Sequence, residues 1–410
     1  MSELSYLEKL LDGVEVEWLP LSGLARIRNG KDHKSLSEGE FPVYGSGGIM
    51  RYVDTYAYNK PSVLIPRKGS LGNLFFVNVP FWTVDTIFYT EIDEAQIRPK
   101  YLYYFLTTVG LGEMNQAGGV PSQTQSVLNK LKIPIPCPGN PQKSLAIQSE
   151  IVRILDKFTA LTAELTAELN MRKKQYNYYR DQLLSFDEEQ EKPIYLEKLL
   201  DGVEVEWKTL EDISIKISSG GTPKTGVSEF YDGDIPWLRT QEVNFCDIWD
   251  TEVKITESGV KNSSAKWIPK NCVIVAMYGA TVGKIGINKI PMTTNQACAN
   301  IQLNEEVAHY RYVFHFLCSQ YTYIKSLGTG SQTNINAQIV KNIKIPIPCP
   351  DNPKKSLAIQ SEIVRILDKF DTLTNSITEG LPREIELRQK QYEYYRDLLF
   401  SFPKPETVSN

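Results

Sequence analysis

Polar side chains in predicted loops are the groups of this 410-residue chain whose types could do chemistry. The loops carry Arg, Lys, Gln, Asn, Ser or Thr, in most cases beside glycine, and they span residues 43–52, 65–72, 118–125, 218–224, 238–241, 278–281, 293–296 and 330–334. Arg and Lys can bond guanine, Asn and Gln can bond adenine, and hydroxyl and backbone NH groups can seat phosphates. The alternative is that these residues simply form turns. One such loop would favour turns, but comparable sets in both halves make DNA recognition an equal alternative.

No pattern of catalytic residues competes with that interpretation. Residues 279–285 are one residue short of a P-loop, and Ile285 replaces the Ser or Thr that would hold magnesium. Residues 45–48 lack the last glycine of GxGxxG, and no Asn-Pro pair is completed into the Asn-Pro-Pro-aromatic site of amino-methyltransferases. GxSxG, HExxH and Cys-His arrangements are absent from the sequence as well. The sequence therefore predicts a chain that is not an enzyme.

The composition is that of a globular protein. Hydrophobic residues make up 41% and charged residues 23% of the chain, and no apolar run reaches the roughly 18 residues that a membrane span needs. Residues 1–13 are acidic where a signal peptide would be basic, so we expect a cytoplasmic protein. The six cysteines lack CxxC spacing and the three histidines lack ligand-like spacing, so we expect no metal site.

The charge of the chain limits how it could bind DNA. The net charge of −4 argues against a protein that coats DNA through a generally basic surface. A local basic patch is still allowed, because eight Lys or Arg and five Asp or Glu lie between Leu19 and Thr90. Chance unevenness of a protein surface would explain that segment equally well.

One frame of sequence occurs twice and must position these loops. YLEKLLDGVEVEW occupies residues 6–18 and 195–207, KIPIPCP occupies 132–138 and 344–350, and KSLAIQSEIVRILDKF occupies 143–158 and 355–370. The stretches between the matching peptides, 19–131 and 208–343, barely resemble each other. A fixed frame with two different inserts predicts one scaffold that presents two different recognition surfaces.

Each half is expected to fold as the same series of elements. The frame peptide predicts a short strand over residues 14–18, and the inserts predict strands at 62–65, 74–77, 273–277 and 284–287 and helices at 101–109 and 310–319. The alternating prolines of KIPIPCP exclude a helix or a central strand, so the chain should be extended there.

A long helix is predicted from about residue 144 to residue 185, because apolar residues recur there at steps of three or four. It contains TAELTAEL at 162–169, a tandem repeat of good helix formers. Its apolar stripe needs a partner, and the second copy would supply one as an antiparallel coiled coil. Gly380-Leu381-Pro382 should kink or break that second helix, which is four residues longer between the shared DKF and KQY peptides.

The chain resembles the specificity (S) subunits of Type I restriction-modification enzymes over essentially its whole length. The resemblance is carried by two variable segments that each close with IPIP, at 133–136 and 345–348, and by the two long repeat helices. Patterns common in the target-recognition domains of that family occur at residues 43–48, 220–224, 279–284 and 331–332. TAELTAEL and the repeated frame peptides resemble the IC branch of the family.

The resemblance implies an α+β fold, with two α/β target-recognition domains separated by two long antiparallel coiled-coil helices and an internal pseudo-two-fold repeat. It implies a non-catalytic subunit that reads double-stranded DNA at a bipartite, asymmetric site. Two methyltransferase (M) subunits that carry S-adenosylmethionine and methylate adenine are the implied partners. Up to two restriction (R) subunits that use ATP and Mg²⁺ can join, and the chain itself binds no cofactor. The helices would set the gap between the half-sites and dock the M subunits.

The expected domain borders and contact residues follow from the same resemblance. Target-recognition domains are expected at 1–143 and 191–355, and spacer helices at 144–190 and 356–410. The residues expected to contact DNA are Arg51, Arg67, Lys68, Gln123, Gln125, Lys224, Arg239, Gln241, Tyr278, Asn295 and Gln332. The alternative hypothesis is an assembly scaffold for methyltransferase-type partners that does not read DNA.

Overall fold

Two units make up the chain. The computed structural model describes residue 10, residues 14–114 and 120–186, residue 199, and residues 203–328, 334–376 and 378–403. Unit 1 comprises residues 1–165 and 385–410, and unit 2 comprises residues 166–384. Both units mix helices with sheets, in agreement with the α+β expectation.

Unit 1 consists of short strands and short helices around the start of one long helix. Its strands are β1 Val16–Pro20, β2 Ala25–Asn29, β3 Phe41–Gly45, β4 Gly48–Val53, β5 Ser62–Pro66, β6 Phe75–Val77, β7 Trp82–Thr83, β8 Ile87–Ile92 and β9 Lys132–Pro136. Its helices are α1 Leu21–Leu24, α2 Pro99–Leu106, α3 Gln125–Leu128 and the first part of α4 Pro141–Leu184. The strands form a β1-β9 pair, a four-stranded sheet of order β2-β8-β5-β6 and a three-stranded sheet of order β4-β3-β7.

Unit 2 has a similar series of elements with larger sheets. Its strands are β10 Val205–Thr209, β11 Ser214–Ser219, β12 Tyr231–Leu238, β13 Cys246–Ile248, β14 Lys254–Ile255, β15 Trp267–Ile268, β16 Val273–Ala276, β17 Ile285–Asn288, β18 Met292–Thr294, β19 Cys298–Leu303 and β20 Lys344–Pro348. Its helices are α5 Glu257–Lys261, α6 Tyr310–Ser319, α7 Tyr321–Ser326, α8 Ala337–Lys341 and α9 Pro353–Asn375; α10 Gly380–Leu399 follows and lies mostly in unit 1. The sheets have the orders β10-β20, β11-β19-β16-β17-β13 and β14-β12-β18-β15.

The repeated frame peptides close both units in the same way. The strand predicted at residues 14–18 forms two residues later, as β1, because its partner β9 extends from Lys132 to Pro136. β1 pairs with β9, and β10 pairs with β20, both antiparallel and in the same register. The proline-rich peptides are thus extended strands of two-stranded sheets, as predicted, where a missing NH group breaks no central ladder.

A tyrosine from each insert bonds to the proline-rich strand of its own unit. The hydroxyl of Tyr101 on α2 donates to the carbonyl of Pro134 at 2.7 Å, and that of Tyr312 on α6 donates to the carbonyl of Pro346 at 2.7 Å. Both rings are fully buried. The helices predicted late in each insert are therefore confirmed, and they attach to the frame through equivalent contacts despite their different sequences.

A frame glutamine caps each of these two helices. The side-chain oxygen of Gln148 accepts from the NH of Arg98, and that of Gln360 accepts from the NH of His309, at 2.8 Å in both units. Arg98 and His309 are the N-cap residues of α2 and α6, whose first NH groups have no partner within the helix. One frame residue can therefore seat two unlike inserts, because it bonds to backbone rather than to side chains.

The long helix forms as predicted and contacts a second helix within each unit. α4 has 44 residues, which corresponds to roughly 66 Å at 1.5 Å per residue. In unit 1, Phe158 stacks on Tyr395 of α10 with ring centroids 5.2 Å apart, and in unit 2, Tyr179 stacks on Phe370 of α9 at 5.4 Å. Each contact joins the phenylalanine of a DKF peptide to a tyrosine three residues beyond a KQY peptide.

The predicted break in the second helix is confirmed. α9 ends at Asn375 and α10 begins at Gly380, so residues 376–379 lie between two helices. This interval equals the four residues by which the second copy is longer between DKF and KQY. Gly380 has a φ of +81°, which disfavours any other residue. A Cβ there would also lie 2.4 Å from the carbonyl oxygen of Thr372.

Candidate functional site

Four loops of unit 1 meet in what we call the first loop cluster, residues 45–48, 66–73, 84–87 and 120–125. The carbonyl of Thr86 accepts from the NH groups of Arg67 and Lys68 at 2.8 and 3.2 Å, and its hydroxyl accepts from the NH of Ser46 at 3.3 Å. The fourth loop joins through the NH of Gln123, which donates to the carbonyl of Arg67 at 3.0 Å. Three of the loops singled out in this half of the sequence are therefore neighbours.

Five loops of unit 2 meet in the second loop cluster, residues 220–222, 238–242, 277–281, 294–297 and 334–336. The NH of Asn295 donates to the carbonyl of Leu238 at 2.9 Å, and the hydroxyl of Thr281 donates to the carbonyl of Thr240 at 2.8 Å. The NH of Ile335 donates to the carbonyl of Met277 at 3.0 Å. This last bond corresponds to the Gln123–Arg67 bond of the first cluster.

The two clusters have the same layout. In unit 1, β3 pairs with β7 in parallel, and in unit 2, β12 pairs with β18 in parallel, and the cluster loops follow the carboxyl ends of these strands. In each unit a glycine lies against the backbone at the end of the second strand of the pair, β7 or β18. A Cβ at Gly30 would lie 1.9 Å from the carbonyl oxygen of Val84, and a Cβ at Gly220 would lie 1.8 Å from the carbonyl oxygen of Thr294. Sequence reasoning gave no special role to Gly30, because only the strand pairing shows what it approaches.

The residues expected to read DNA in the first half occupy different environments. Lys68 is exposed, whereas the half-buried guanidinium of Arg67 lies 5.9 Å from the ring centre of Phe88. Gln125 is half-buried and its amide donates to the Asn29 side chain at 3.2 Å. Arg51 lies on β4 and donates to the backbone carbonyl of Leu36 at 2.9 Å, outside the cluster.

Gln123 is only 1% exposed, unlike its neighbours in the first loop cluster. Its amide nitrogen donates to the carbonyl of Pro66 at 2.5 Å, at the end of β5. Its side-chain oxygen is buried without a hydrogen-bond partner. In this conformation Gln123 positions the Arg67–Lys68 loop, and its side chain has no surface to present to a ligand.

The residues expected to read DNA in the second half lie mostly within the second loop cluster. Gln241 and Tyr278 are exposed there, and the half-buried Asn295 accepts from the NH of Ala297 through its side chain at 3.1 Å. Lys224 is exposed just beyond the cluster, two residues after Thr222, whose hydroxyl donates to the side chain of Gln296. Gln332 lies outside the described residues.

Arg239 of the second cluster contacts two carboxylates. Its Nη2 lies 2.6 Å from Oε2 of Glu252, and its Nε lies 3.6 Å from Oε1 of Glu242. The side chain of Arg239 is 24% exposed, while that of Glu252 is 75% exposed. An exposed ion pair of this kind is weak in water, so a phosphate or a guanine could displace the Glu252 carboxylate.

An ionic network attaches the insert of unit 2 to its frame helix. Arg311 on α6 contacts the carboxylates of Asp247, Asp368 and Asp371 at 3.0, 2.7 and 3.2 Å. His315, whose side chain is fully buried, contacts Asp368 at 2.7 Å. Burial raises the pKa of Asp368, but the hydrogen bond from His315 and the charge of Arg311 outweigh burial and hold the pKa below its ordinary value.

Unit 1 repeats this attachment with different side chains. Asp156, which occupies the frame position of Asp368, bonds to the Lys100 ammonium at 2.8 Å and to the Tyr104 hydroxyl at 2.6 Å. Lys100 and Tyr104 stand where α6 has Arg311 and His315, counted from the buried tyrosine. Sequence reasoning did not identify this contact, although the shared aspartate is visible in the repeat.

In the part of the chain that the structure describes, no group of three or more His, Cys, Asp or Glu side chains could hold a metal ion. No helix among the same residues is long and apolar enough to cross a membrane.

Sequence comparison identifies similar proteins over the whole chain. The family model of the Type I restriction modification DNA specificity domain matches residues 14–172 and 202–387. The chain is 46% identical to the EcoR124I/EcoR124II specificity subunit of Escherichia coli, with all of both chains covered. It is 35% identical to a putative type I restriction enzyme specificity subunit of Haemophilus influenzae, over 97% of this chain and 98% of that protein.

Solved structures share the fold at low sequence identity. The S subunit of a Type-I restriction-modification system from M. genitalium superposes with a TM-score of 0.59 at 16% identity, covering 96% of this chain and 98% of that one. A chain from a structure of type I R-M complex assembly and conformational transition gives a TM-score of 0.57 at 12% identity, covering 94% and 97%.

Proposed function

The chain belongs to the family of Type I restriction-modification DNA specificity subunits, and we propose that it reads a bipartite, asymmetric DNA site through its two loop clusters. The general role of the family is DNA recognition and assembly with the other subunits, and its members are non-catalytic. We assign one half-site to each cluster, because each unit carries its own complete set of loops on the same frame.

The observation that carries this proposal is one layout with two sets of side chains. Each cluster follows the carboxyl ends of a parallel strand pair, and equivalent backbone hydrogen bonds join the loops within each cluster. The side chains differ: the first cluster has Arg67, Lys68 and Gln125, and the second has Arg239, Gln241 and Asn295. Unlike donors and acceptors in the same geometry would select unlike base sequences, which makes the combined site asymmetric.

The residues proposed to contact DNA have two kinds of role. The exposed or half-buried side chains on or beside the clusters are proposed to contact bases or phosphates: Arg67, Lys68, Gln125, Lys224, Arg239, Gln241, Tyr278 and Asn295. Arg51 and Gln332 are also proposed to contact DNA, on the basis of their residue types and positions in the sequence. Gln123 acts in this proposal by holding the Arg67–Lys68 loop, since its amide is committed to Pro66.

The proposed assembly follows the family resemblance. Two M subunits that carry S-adenosylmethionine would methylate adenine, up to two R subunits that use ATP and Mg²⁺ could join, and the complex would act in the cytoplasm. Residues 144–190 and 356–410 are proposed as spacer helices between target-recognition domains at 1–143 and 191–355. We propose that these helices dock the M subunits and set the gap between the half-sites.

Adenine-methylation mapping tests the proposal directly. Cells carrying this gene together with the gene of its M partner should gain methylation at one bipartite motif, and cells carrying either gene alone should not. A matched strain in which the second-cluster residues Arg239 and Gln241 are both replaced by Ala should keep one half of the motif. Assembly of the chain with M subunits but no methylated motif would support the non-reading scaffold instead.

A further inference from the structure

The hairpin of β3 and β4 in unit 1 exposes apolar side chains beside the first loop cluster. Ile49, Met50 and Tyr52 on β4 are 49%, 59% and 49% exposed. Consecutive residues of a regular strand point to opposite faces, so two adjacent exposed apolar residues need a local irregularity.

A β-bulge supplies that irregularity. Val43 pairs with Arg51 and the next residue, Tyr44, pairs with Ile49, so Met50 is an extra residue without a partner on β3. Bulges re-aim side chains and recur beside functional sites. The Met50 sulphur also lies over Gly45, where a Cβ would come within 2.7 Å of it. The hairpin therefore presents Ile49 and Met50 together.

The hairpin is continuous with the first loop cluster. Its turn residue Ser46 donates its backbone NH to Thr86, the residue that holds the NH groups of Arg67 and Lys68. The carbonyl of Ser46 accepts from the side chain of Asn73 at 3.3 Å, and Asn73 lies at the end of the loop that carries Arg67 and Lys68. Two cations and one carboxylate, Asp85, thus belong to the cluster beside the apolar pair.

We propose that Ile49 and Met50 form an apolar wedge that inserts against a base step of the duplex and bends or unstacks the half-site read by unit 1. The inference rests on the proposed function. Apolar side chains that insert between base steps kink DNA and permit further contacts, and flanking cations would hold the phosphates on either side. A stable protein interface buries about 800 Å² on each partner, which three exposed side chains fall far short of.

The wedge predicts a form of recognition different from that of the polar residues. Ile49 and Met50 cannot hydrogen-bond base edges, so they would favour sequences whose steps deform easily. Uncharged side chains release no counterions from the DNA phosphates. Removal of Ile49 and Met50 should therefore weaken binding without changing its dependence on salt concentration.

The test uses the full chain assembled with its M subunits and a duplex that contains the mapped site. 2-Aminopurine, an adenine analogue that fluoresces when unstacked, replaces in turn each adenine of both half-sites except the adenines that are methylated, because methyltransferases flip their target base out of the duplex. The native complex should raise the fluorescence at one step in one half-site. An Ile49→Ala/Met50→Ala double variant should lose most of that rise and bind about tenfold more weakly at an unchanged salt slope.

Two further variants serve as controls. Val79→Ala removes another exposed apolar side chain of unit 1 and should change neither signal, and Met50→Leu should retain both. Unchanged fluorescence and affinity in the double variant would overturn the wedge, and so would the absence of any fluorescence rise with native protein. Loss of M-subunit assembly in size-exclusion chromatography would identify the patch as a protein contact and overturn it as well. Failure of the proposed function is distinct, because native protein would then show no site-specific binding.

Discussion

Arg239 is the residue at which base reading can be tested most sharply. Its side chain is 24% exposed, and its guanidinium contacts the carboxylate of Glu252 at 2.6 Å. Arg239→Ala should relax only the half-site read by unit 2, because a lost bidentate guanine contact costs about 1–3 kcal/mol of discrimination at one position. Methylation mapping of the variant measures this relaxation.

A matched cation separates base contacts from phosphate contacts. Lys224 is exposed two residues beyond the second loop cluster, and Lys224→Ala should weaken binding to all sequences alike. If Arg239→Ala behaved in the same way, Arg239 would contact phosphate rather than a base. Glu252→Gln, which leaves Arg239 in place, should raise the affinity for unrelated DNA, because it removes the competing carboxylate.

Asp368 is predicted to stabilise unit 2 through its bonds to Arg311 and His315. Asp368→Asn should lower the free energy of unfolding by about 1–3 kcal/mol near pH 7, since it weakens a charged hydrogen-bond network. The folded pKa of Asp368 is lowered, so its contribution is present above the unfolded pKa of about 3.9 and is lost as the pH falls through the folded pKa. Urea unfolding between pH 7 and pH 3 measures the difference.

An exposed aspartate provides the control for that measurement. Asp397 pairs with the adjacent Arg396, and its side chain is 62% exposed. Asp397→Asn should leave the unfolding curves almost unchanged. An equal effect of both substitutions, or a difference for Asp368→Asn that grows toward acid pH, would contradict the assigned role.

The sequence predicted the types of residue at the candidate site better than their exposure. Arg67, Lys68, Gln241 and Tyr278 belong to polar segments that the sequence predicts as loops, and they lie on the loop clusters. The burial of Gln123 could not be predicted, because it depends on the bridge that residues 121–123 make with the distant residues 66–69. Pairing between segments more than 50 residues apart leaves no periodic signal in either of them.

At the scale of elements, the break between α9 and α10 is built on one glycine. Gly380→Ala should lower the free energy of unfolding by about 1–3 kcal/mol, because a Cβ at φ +81° is strained and meets the Thr372 carbonyl. Thermal unfolding measures this. Gly139→Ala is the control, since a Cβ at Gly139 meets nothing within 4 Å. Equal stability of the two variants would show that the break does not depend on Gly380.

The TAEL repeat of α4 predicts a length effect. Inserting one more TAEL after Leu169 adds four residues, which is about 6 Å of helix, close to the roughly 6.8 Å rise of two base pairs. The gap between the half-sites should therefore lengthen while both half-sites stay the same. Four inserted alanines, which also extend the helix, should have the same effect, and a methylation map with an unchanged gap would contradict the spacer role.

Helices were more predictable than sheets in this chain. The apolar stripe predicted a helix at about 144–185, and the structure has one at Pro141–Leu184, because helical periodicity is a local property. The β3–β7 and β12–β18 pairings were not predicted, since parallel partners are joined through long connections that sequence periodicity does not reveal. These pairings bring the loops of each cluster together, so the sequence alone does not predict which loops are neighbours.

At the scale of the whole molecule, the duplicated frame separates attachment from recognition. Gln148 and Asp156 in unit 1, and Gln360 and Asp368 in unit 2, hold their inserts through equivalent contacts. The inserts share a strand layout but present different side chains at the loop clusters. A frame that contacts backbone atoms and a few side chains of one helix in each insert would tolerate an exchanged insert.

Insert exchange is the measurement that tests the central claim most directly. Residues 19–131 would be replaced by the corresponding segment of the Escherichia coli relative, and the adenine methylation of cells that also carry the M partner would be mapped. We predict that one half of the methylated motif changes, while the other half and the gap are retained. A motif that changes in both halves, or in neither, would contradict the assignment of one half-site to each loop cluster.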